Sequence, residues 1–448
     1  MKAGRLSALI VLTSFTNTGA QDSVKAPYDK ANAKAVAAWV DEHSAELVAA
    51  YKHFHSNPEL SLQERKTAAR LGRSLQDDGY TVTQGVGGTG VVAVMKNGDG
   101  PTLLIRGDMD ALPVVEETGL PYASKIKLKA DDGTTIGAMH ACGHDVHVTM
   151  LVGVGKLLSE MRDSWSGTLV LIGQPAEEVG KGARMMIADG LFERFPKPDI
   201  CLALHVKHDL QSGSVGTLAG WAAANVDSVD ITIFGKGGHG AKPHGTVDPI
   251  VTAAHVITSL QTLVSRRVDP IEPAVVTVGS IHGGTKHNII PAEVKLQLTV
   301  RSYTDEVRNT LLDGIREIAT DTCKVFGCPK PPLVEVKDEY TPACYNHPGL
   351  TEAATGLFRE LLGEDKVETN PPTMGGEDFG TFARTLKVPG LQYSVGSISQ
   401  EKFDAAQKPG ADSLPTLHSA FYAPEAEPTV RTAVGTMSNL ALSLLKKQ

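Results

Sequence analysis

The chain has 448 residues, 41% of them hydrophobic and 21% charged, a globular composition with room for two domains and a substantial core. Its formal net charge is −8 with no long basic run. That excludes nucleic acid as the main partner, because phosphate binding needs clustered Lys and Arg.

At the start of the chain, Lys2 and Arg5 precede an apolar stretch from Leu6 to Phe15, and Thr18-Gly19-Ala20 supplies small residues for a cut after Ala20. This is the pattern of a secretory signal peptide over 1–20. The apolar run falls short of the ~20 residues a spanning helix needs. The expectation is an exported protein, periplasmic or secreted, with no membrane contact after cleavage. An exported protein can hold disulfides. The five cysteines are Cys142, Cys201, Cys323, Cys328 and Cys344, and an odd count leaves at least one thiol free or metal-bound. Cys142 is the candidate. Whether Cys323 and Cys328 pair stays open, since a spacing of five near a helix end is poor disulfide geometry.

Apolar residues at helical spacing (Val36, Trp39, Val40, Leu47, Ala50, Phe54) predict a helix over 30–55, ended by Asn57-Pro58. A second helix over 63–78 closes at Gly79. Strands are expected at Tyr80–Gln84, Val91–Lys96 and Thr102–Gly107, then a helix over Asp145–Glu160. Buried strands at Thr168–Gly173 and Ile200–His205 flank a helix around Ala183–Asp189. Strand–helix alternation implies an α/β domain with a mixed or mostly parallel sheet, whose ligands sit at the carboxyl ends of strands. Asp108, Asp110, Glu177, Glu178 and His205 fall at such ends. The pattern changes near residue 222. A strand at Val226–Gly235, a helix over Pro249–Val264, strands at Ala274–Ile281 and Ala292–Ser302, a helix over Asp305–Phe326 and a strand at Leu333–Lys337 follow in the order βαββαβ, which is ferredoxin-like. We therefore expect a catalytic domain over 21–222 and 335–448, interrupted by an inserted domain over 223–334. The first domain resumes with a helix at Leu350–Leu362, helical Glu377–Leu386, a strand at Gly390–Val395 and a terminal helix near Thr429–Lys446.

The segment Met139 to His147 packs Cys142, His144 and Asp145 into four positions, the donor types that a borderline-soft divalent metal such as zinc prefers. Acids follow two apolar runs, in Arg106-Gly107-Asp108-Met109-Asp110 and in Gln174-Pro175-Ala176-Glu177-Glu178. Carboxylates at strand ends beside a thiolate and imidazoles point to a hydrolytic metal centre. Asp145 is read as a helix cap supporting the site. His140 is read as structural. The glycine-rich stretch from Gly235 to Gly240 lacks the Lys-Ser/Thr of a phosphate loop.

Seven pieces in this order carry a resemblance: His55-Ser-Asn-Pro-Glu-Leu60, Arg106-Gly-Asp-Met-Asp-Ala-Leu-Pro113, Met139 to His147, Pro175-Ala-Glu-Glu178, Gly237-Gly-His-Gly-Ala-Lys-Pro243, His287-Asn-Ile-Ile-Pro291 and Met374-Gly-Gly-Glu-Asp-Phe379. From about His53 to the C-terminus the chain resembles the aminoacylase and carboxypeptidase-like dinuclear metallohydrolases, in the amidohydrolase branch of hippurate hydrolase and the auxin-conjugate hydrolases. The resemblance implies two divalent metals, zinc first among zinc, manganese, cobalt and nickel, bridged by Cys142. It gives Glu178 and His418 to one metal and His144 and His205 to the other. Asp108 stands where other branches carry a His. Glu177 is the implied general base, with Asp110 orienting an imidazole. His239 is the implied oxyanion donor, reaching in from a partner subunit, so a homodimer through residues 223–334 is implied. Asn288 and Arg301 are the implied grips on a substrate carboxylate.

The reaction expected is metal-dependent hydrolysis of the amide bond of N-acyl amino acids or short peptides with a free C-terminal carboxylate. A dipeptidase or an N-acetyl-diaminopimelate deacetylase is the alternative within the same class. An exported solute-binding protein is the alternative outside it, and it would need neither the metal ligands nor a base at Glu177.

Overall fold

The computed structural model describes residues 24–129, 133–338, 340–408 and 410–447. The expected signal peptide over 1–20 lies outside them.

The larger sheet has eight strands in the order Thr81–Val86, Gly90–Asn97, Gly167–Gln174, Thr102–Asp108, Ile200–Gln211, Gly390–Ile398, Val215–Thr217, Val367–Thr369. Its middle is parallel: Thr102–Asp108 pairs in parallel with both neighbours, and Ile200–Gln211 with Gly390–Ile398. The first two strands join antiparallel, so the sheet is mixed. Alternating side chains send the strands' residues to opposite faces. Leu103, Ile105, Leu169, Leu171, Leu202 and Leu204 enter the core beneath helices Lys30–Ser56, His144–Glu160 and Ala426–Leu444. Leu104, Val170, Ile172, Cys201 and Ala203 enter the core on the other face, under Gly182–Ala188 and Gly380–Leu386. Both faces are covered, which is why these strands read as nearly unbroken apolar runs.

The second sheet has four antiparallel strands, Ala274–His282, Glu293–Ser302, Asn225–Phe234 and Leu333–Val336, in that order. Helices Pro249–Thr262 and Asp305–Val325 cover one face and share a core with Val229, Ile231, Leu296 and Leu298. This is the βαββαβ order expected. The chain passes between the two sheets through a ribbon in which Gly220–Ala223 pairs with Cys344–Asn346. Among the described residues, no helix is long and apolar enough to cross a membrane.

Two local expectations are corrected. The helix expected at Glu377–Leu386 starts only at Gly380. Glu377 and Asp378 precede it because their carboxylates are taken by the buried Arg106. The cap of the helix after Cys142 is Gly143, with φ 77°, and not Asp145, whose carboxylate instead binds His55 at 2.7 Å.

Candidate metal centre

Period two along the strands builds the site. Arg106, Asp108, Gln174 and His205 lie on the same strand faces as Leu104, Ile172 and Ala203, the first three at the carboxyl ends of two parallel strands and His205 within the neighbouring Ile200–Gln211, just past its last pairing with them at Ala203. Next to them, the turn from Met139 delivers Cys142, and the first residue of the following helix is His144. Gly143 makes this turn possible: its φ is positive, and a Cβ there would lie 2.4 Å from Val206 Cγ2.

Cys142 Sγ lies 3.6 Å from His205 Nε2. Donor atoms of Cys142, His144 and Glu178 all fall within 4.8 Å of one another. His144 Nε2 stands 3.9 Å from Glu178 Oε1 and 4.0 Å from Glu177 Oε2, and His418 Nε2 is 3.4 Å from Glu178 Oε2. The five ligand candidates and Glu177 therefore converge. Cys142, Glu177, Glu178, His205 and His418 line one cavity of about 770 Å³. His144 Nε2 and Glu178 Oε1 are buried and have no hydrogen-bond partner among the described residues. Orphaned polar atoms of this kind are costly unless something binds them. A thiol, imidazoles and a carboxylate suit zinc and similar divalent metals. His205 fits a ligand role further: burial, and then the neighbouring His147, push it down to about 3, so it is neutral at pH 7.

The ligand candidates are held from behind. Asp110's main-chain oxygen accepts from His144 Nδ1 at 2.8 Å, and its carboxylate accepts from Ser61 Oγ and from the Glu178 amide at 3.0 Å. Asp110 thus orients an imidazole and the Glu178 backbone together. His147 is spoken for at both nitrogens: Nδ1 donates to Asp108 at 2.5 Å and Nε2 accepts from the Val206 amide at 3.0 Å. Two non-glycine residues at the site have left-handed backbones, Ala176 (φ 52°) before Glu177, and His418 (φ 68°). Each costs on the order of 1–3 kcal/mol, and such strain gathers at functional sites. Glu64 accepts from the Ala176 amide at 2.9 Å, and Ala141's carbonyl accepts from the His418 amide at 2.9 Å, which holds both turns in place.

Glu177 sits beside Glu377 and Asp378, with carboxylate oxygens of all three within 4.8 Å of one another. Burial first, and then the Glu377 charge, raise its carboxyl well above the ordinary range. Burial likewise lifts Glu178 to about 7. Glu377 and Asp378 are themselves tied to Arg106 Nη2 at 2.9 and 3.1 Å, and Arg106 is fully buried.

The structure separates three further candidates. Arg301 lines the cavity, half-buried, with its Nε donating to Thr299 Oγ1 at 2.9 Å. His239 and Asn288 do not line it. They sit together on the smaller domain, both exposed, where His239 pairs with Ile289 and the Gly240 amide donates to Asn288's carbonyl. His140 is buried, and neither ring nitrogen has a hydrogen-bond partner among the described residues. Sequence reasoning passed over Glu64, Glu116 and the pairing of Arg106 with Glu377. A buried Arg next to Asp108 was the one signal available, and it does not say which distant acid completes the cluster.

A model of Peptidase family M20/M25/M40 matches residues 104–412. The thermostable carboxypeptidase 2 of Saccharolobus solfataricus is 36% identical over 357 residues, covering 78% of this chain and 86% of that protein. The N-acyl-L-amino acid amidohydrolase of Geobacillus stearothermophilus is 39% identical over 290 residues, covering 64% and 75%. A Bacillus subtilis crystal structure described as a dinuclear metal binding peptidase from the M20 family superposes with a TM-score of 0.73 at 28% identity, covering 90% of this chain and 99% of that one. The chain belongs to Peptidase family M20/M25/M40 and is a metal-dependent amide hydrolase.

Proposed function

We propose that the protein hydrolyses N-acyl amino acids, or short peptides at their last bond, using two divalent metals held by Cys142, His144, Glu178, His205 and His418, with zinc as the native ion. The observation that carries this reading is that Cys142, Glu177, Glu178, His205 and His418 line one cavity with His144 directly behind Cys142 and Glu178, and that His144 Nε2 and Glu178 Oε1 are buried without a hydrogen-bond partner among the described residues. Metals so held lower the pKa of water and draw charge from a carbonyl oxygen.

The chain's own groups do the rest. Glu177 takes the proton of the attacking water, and the new C–O bond forms as the carbonyl carbon becomes tetrahedral. Glu177 then returns the proton to the nitrogen as the C–N bond breaks, releasing a carboxylic acid and the free amine of the amino acid. A base crowded by Glu377 holds a proton well enough to deliver it. Arg301, on the cavity wall, grips the substrate's terminal carboxylate. His239 and Asn288 serve the cavity of a partner subunit, in a homodimer formed through the inserted domain. Their exposure together, outside their own chain's cavity, supports this. The signal-like start supports export.

The test is a panel of hippurate, N-acetyl amino acids and dipeptides, assayed before and after chelation and with metal restored. Loss on chelation and recovery with zinc is the expected result. Full turnover in the chelated, metal-free protein would overturn it.

A further inference from the structure

We propose that Cys323 and Cys328 form a thiol pair that oxidises to a disulfide, a modification site on the inserted domain that is separate from the catalytic cavity.

The helix Asp305–Val325 ends in a paired turn. The Gly327 amide donates to Lys324's carbonyl at 3.1 Å, and the Cys328 amide donates to Cys323's carbonyl at 2.9 Å. Gly327 has φ 69°, as the turn requires. This is a Schellman motif, and Cys323 and Cys328 hold the two positions whose side chains it brings into contact. A spacing of five that looks too long on a continuing helix is therefore short across this turn. Both residues pack on the same core: Cys323 is 2% exposed within it, and Cys328 lies partly buried against it. Neither lines the catalytic cavity. Cys201 and Cys344 are fully buried in a different cluster, and Cys142 belongs to the metal centre. Cys323 and Cys328 are thus the two thiols that the fold places side by side with one of them open to solvent.

That asymmetry sets the order of events. Burial, and then the neighbouring Cys328, push the Cys323 thiol up to about 12. Cys328, the more exposed, therefore attacks first. Its thiolate, having lost a proton to solvent, attacks one sulfur of a small-molecule disulfide and expels the other half as a thiol. Cys323 then gives up its proton and displaces the second half. One intramolecular S–S bond forms. The two cysteines lose two electrons and two protons, and the external disulfide is reduced to two thiols.

The experiment uses the folded full chain, purified reduced, equilibrated with oxidised glutathione and blocked with N-ethylmaleimide before tryptic mapping. Cleavage after Lys324 separates the two cysteines unless a disulfide joins them. The expected product is a joined pair of peptides, two hydrogens lighter than the sum of the free ones and carrying no alkyl label. Alkyl label on both cysteines, or glutathione left standing on Cys328 of the wild-type chain, would overturn the proposal. Cys323→Ala should trap glutathione on Cys328. If that variant does not fold, Cys328→Ala carries the test: Cys323 should then stay unmodified in the folded chain, and glutathione on it would refute the assigned order.

Discussion

Glu177 and Glu178 are neighbours in sequence with different proposed tasks, and their surroundings differ in the same way. Glu178 shares a pocket with Cys142 and His144, whereas Glu177 faces two other acids. Replacing Glu177 by Gln keeps the shape and removes the base. We expect metal content to be unchanged and kcat to fall by about 10²–10⁴-fold; a variant retaining most of its rate with metal bound would remove the base assignment. His55 offers a second test at this scale. It is buried between Asp145 (2.7 Å) and Glu116 (3.0 Å). Burial alone would lower it, but the two carboxylates raise it to about 9. A group whose folded pKa is raised stabilises fully below its unfolded pKa, near 6.5, and that stabilisation is lost as pH rises through about 9. His55→Gln strands two carboxylates and should cost about 3–5 kcal/mol at pH 6. Denaturant titrations from pH 6 to 10 should show the gap to wild type closing above pH 9, and a gap independent of pH would contradict the ion triad. Cys142, His144 and Glu178 were legible in the sequence, because a thiol, an imidazole and strand-end acids stand in short local patterns, whereas His418 came from the family resemblance alone. The partners behind them were not: His55 meets an acid 90 residues away and Arg106 one 271 away, and no local pattern encodes such distances.

At the scale of elements, the metal centre depends on how one helix begins. Gly143 turns the chain so that Cys142 and His144 both face inward, and it does so in a conformation an L-residue resists. Gly143→Ala should cost at least about 1–2 kcal/mol from the backbone alone, with more from the collision with Val206. It should also weaken metal binding, because His144 shifts with the turn. Calorimetric unfolding and metal titration would check both; unchanged metal affinity would mean that the turn does not set the ligand geometry. Long elements were legible because a dozen residues repeat one pattern. The three-residue strands Val215–Thr217, Val367–Thr369 and Cys344–Asn346 were not, since their pairing is decided by neighbours far along the chain and not by their own side chains. The strand at Ile200 runs on to Gln211, beyond the expected His205, for the same reason: Gly390–Ile398 continues to pair with it past the apolar run.

For the whole molecule, His239 and Asn288 stand outside their own chain's cavity, and the proposed homodimer would bring them to a partner's. If each cavity draws them from a partner, His239→Ala should lower kcat with little effect on stability. Subunits exchanged with Glu177→Gln should then recover activity, because one cavity in each mixed dimer holds both Glu177 and His239. No recovery in verified mixed dimers would place His239 outside the reaction. The smaller domain also touches the larger one through an ion pair of Arg384 with Asp305, and Arg184 pairs with Asp338 just past the smaller domain's last strand, each Arg reaching from a short helix that follows a pair of site acids. Exposed pairs of this kind hold loosely, at about 0–1 kcal/mol. The ribbon of Gly220–Ala223 and Cys344–Asn346 is the firmer join, and it has a consequence for how such a protein can be rebuilt. The way into the smaller domain and the way out lie on adjacent, hydrogen-bonded strands. The domain is therefore a cassette: its two ends meet, so a short turn could replace it without tearing the larger sheet, and a different cassette could be grafted on the same pair of strands.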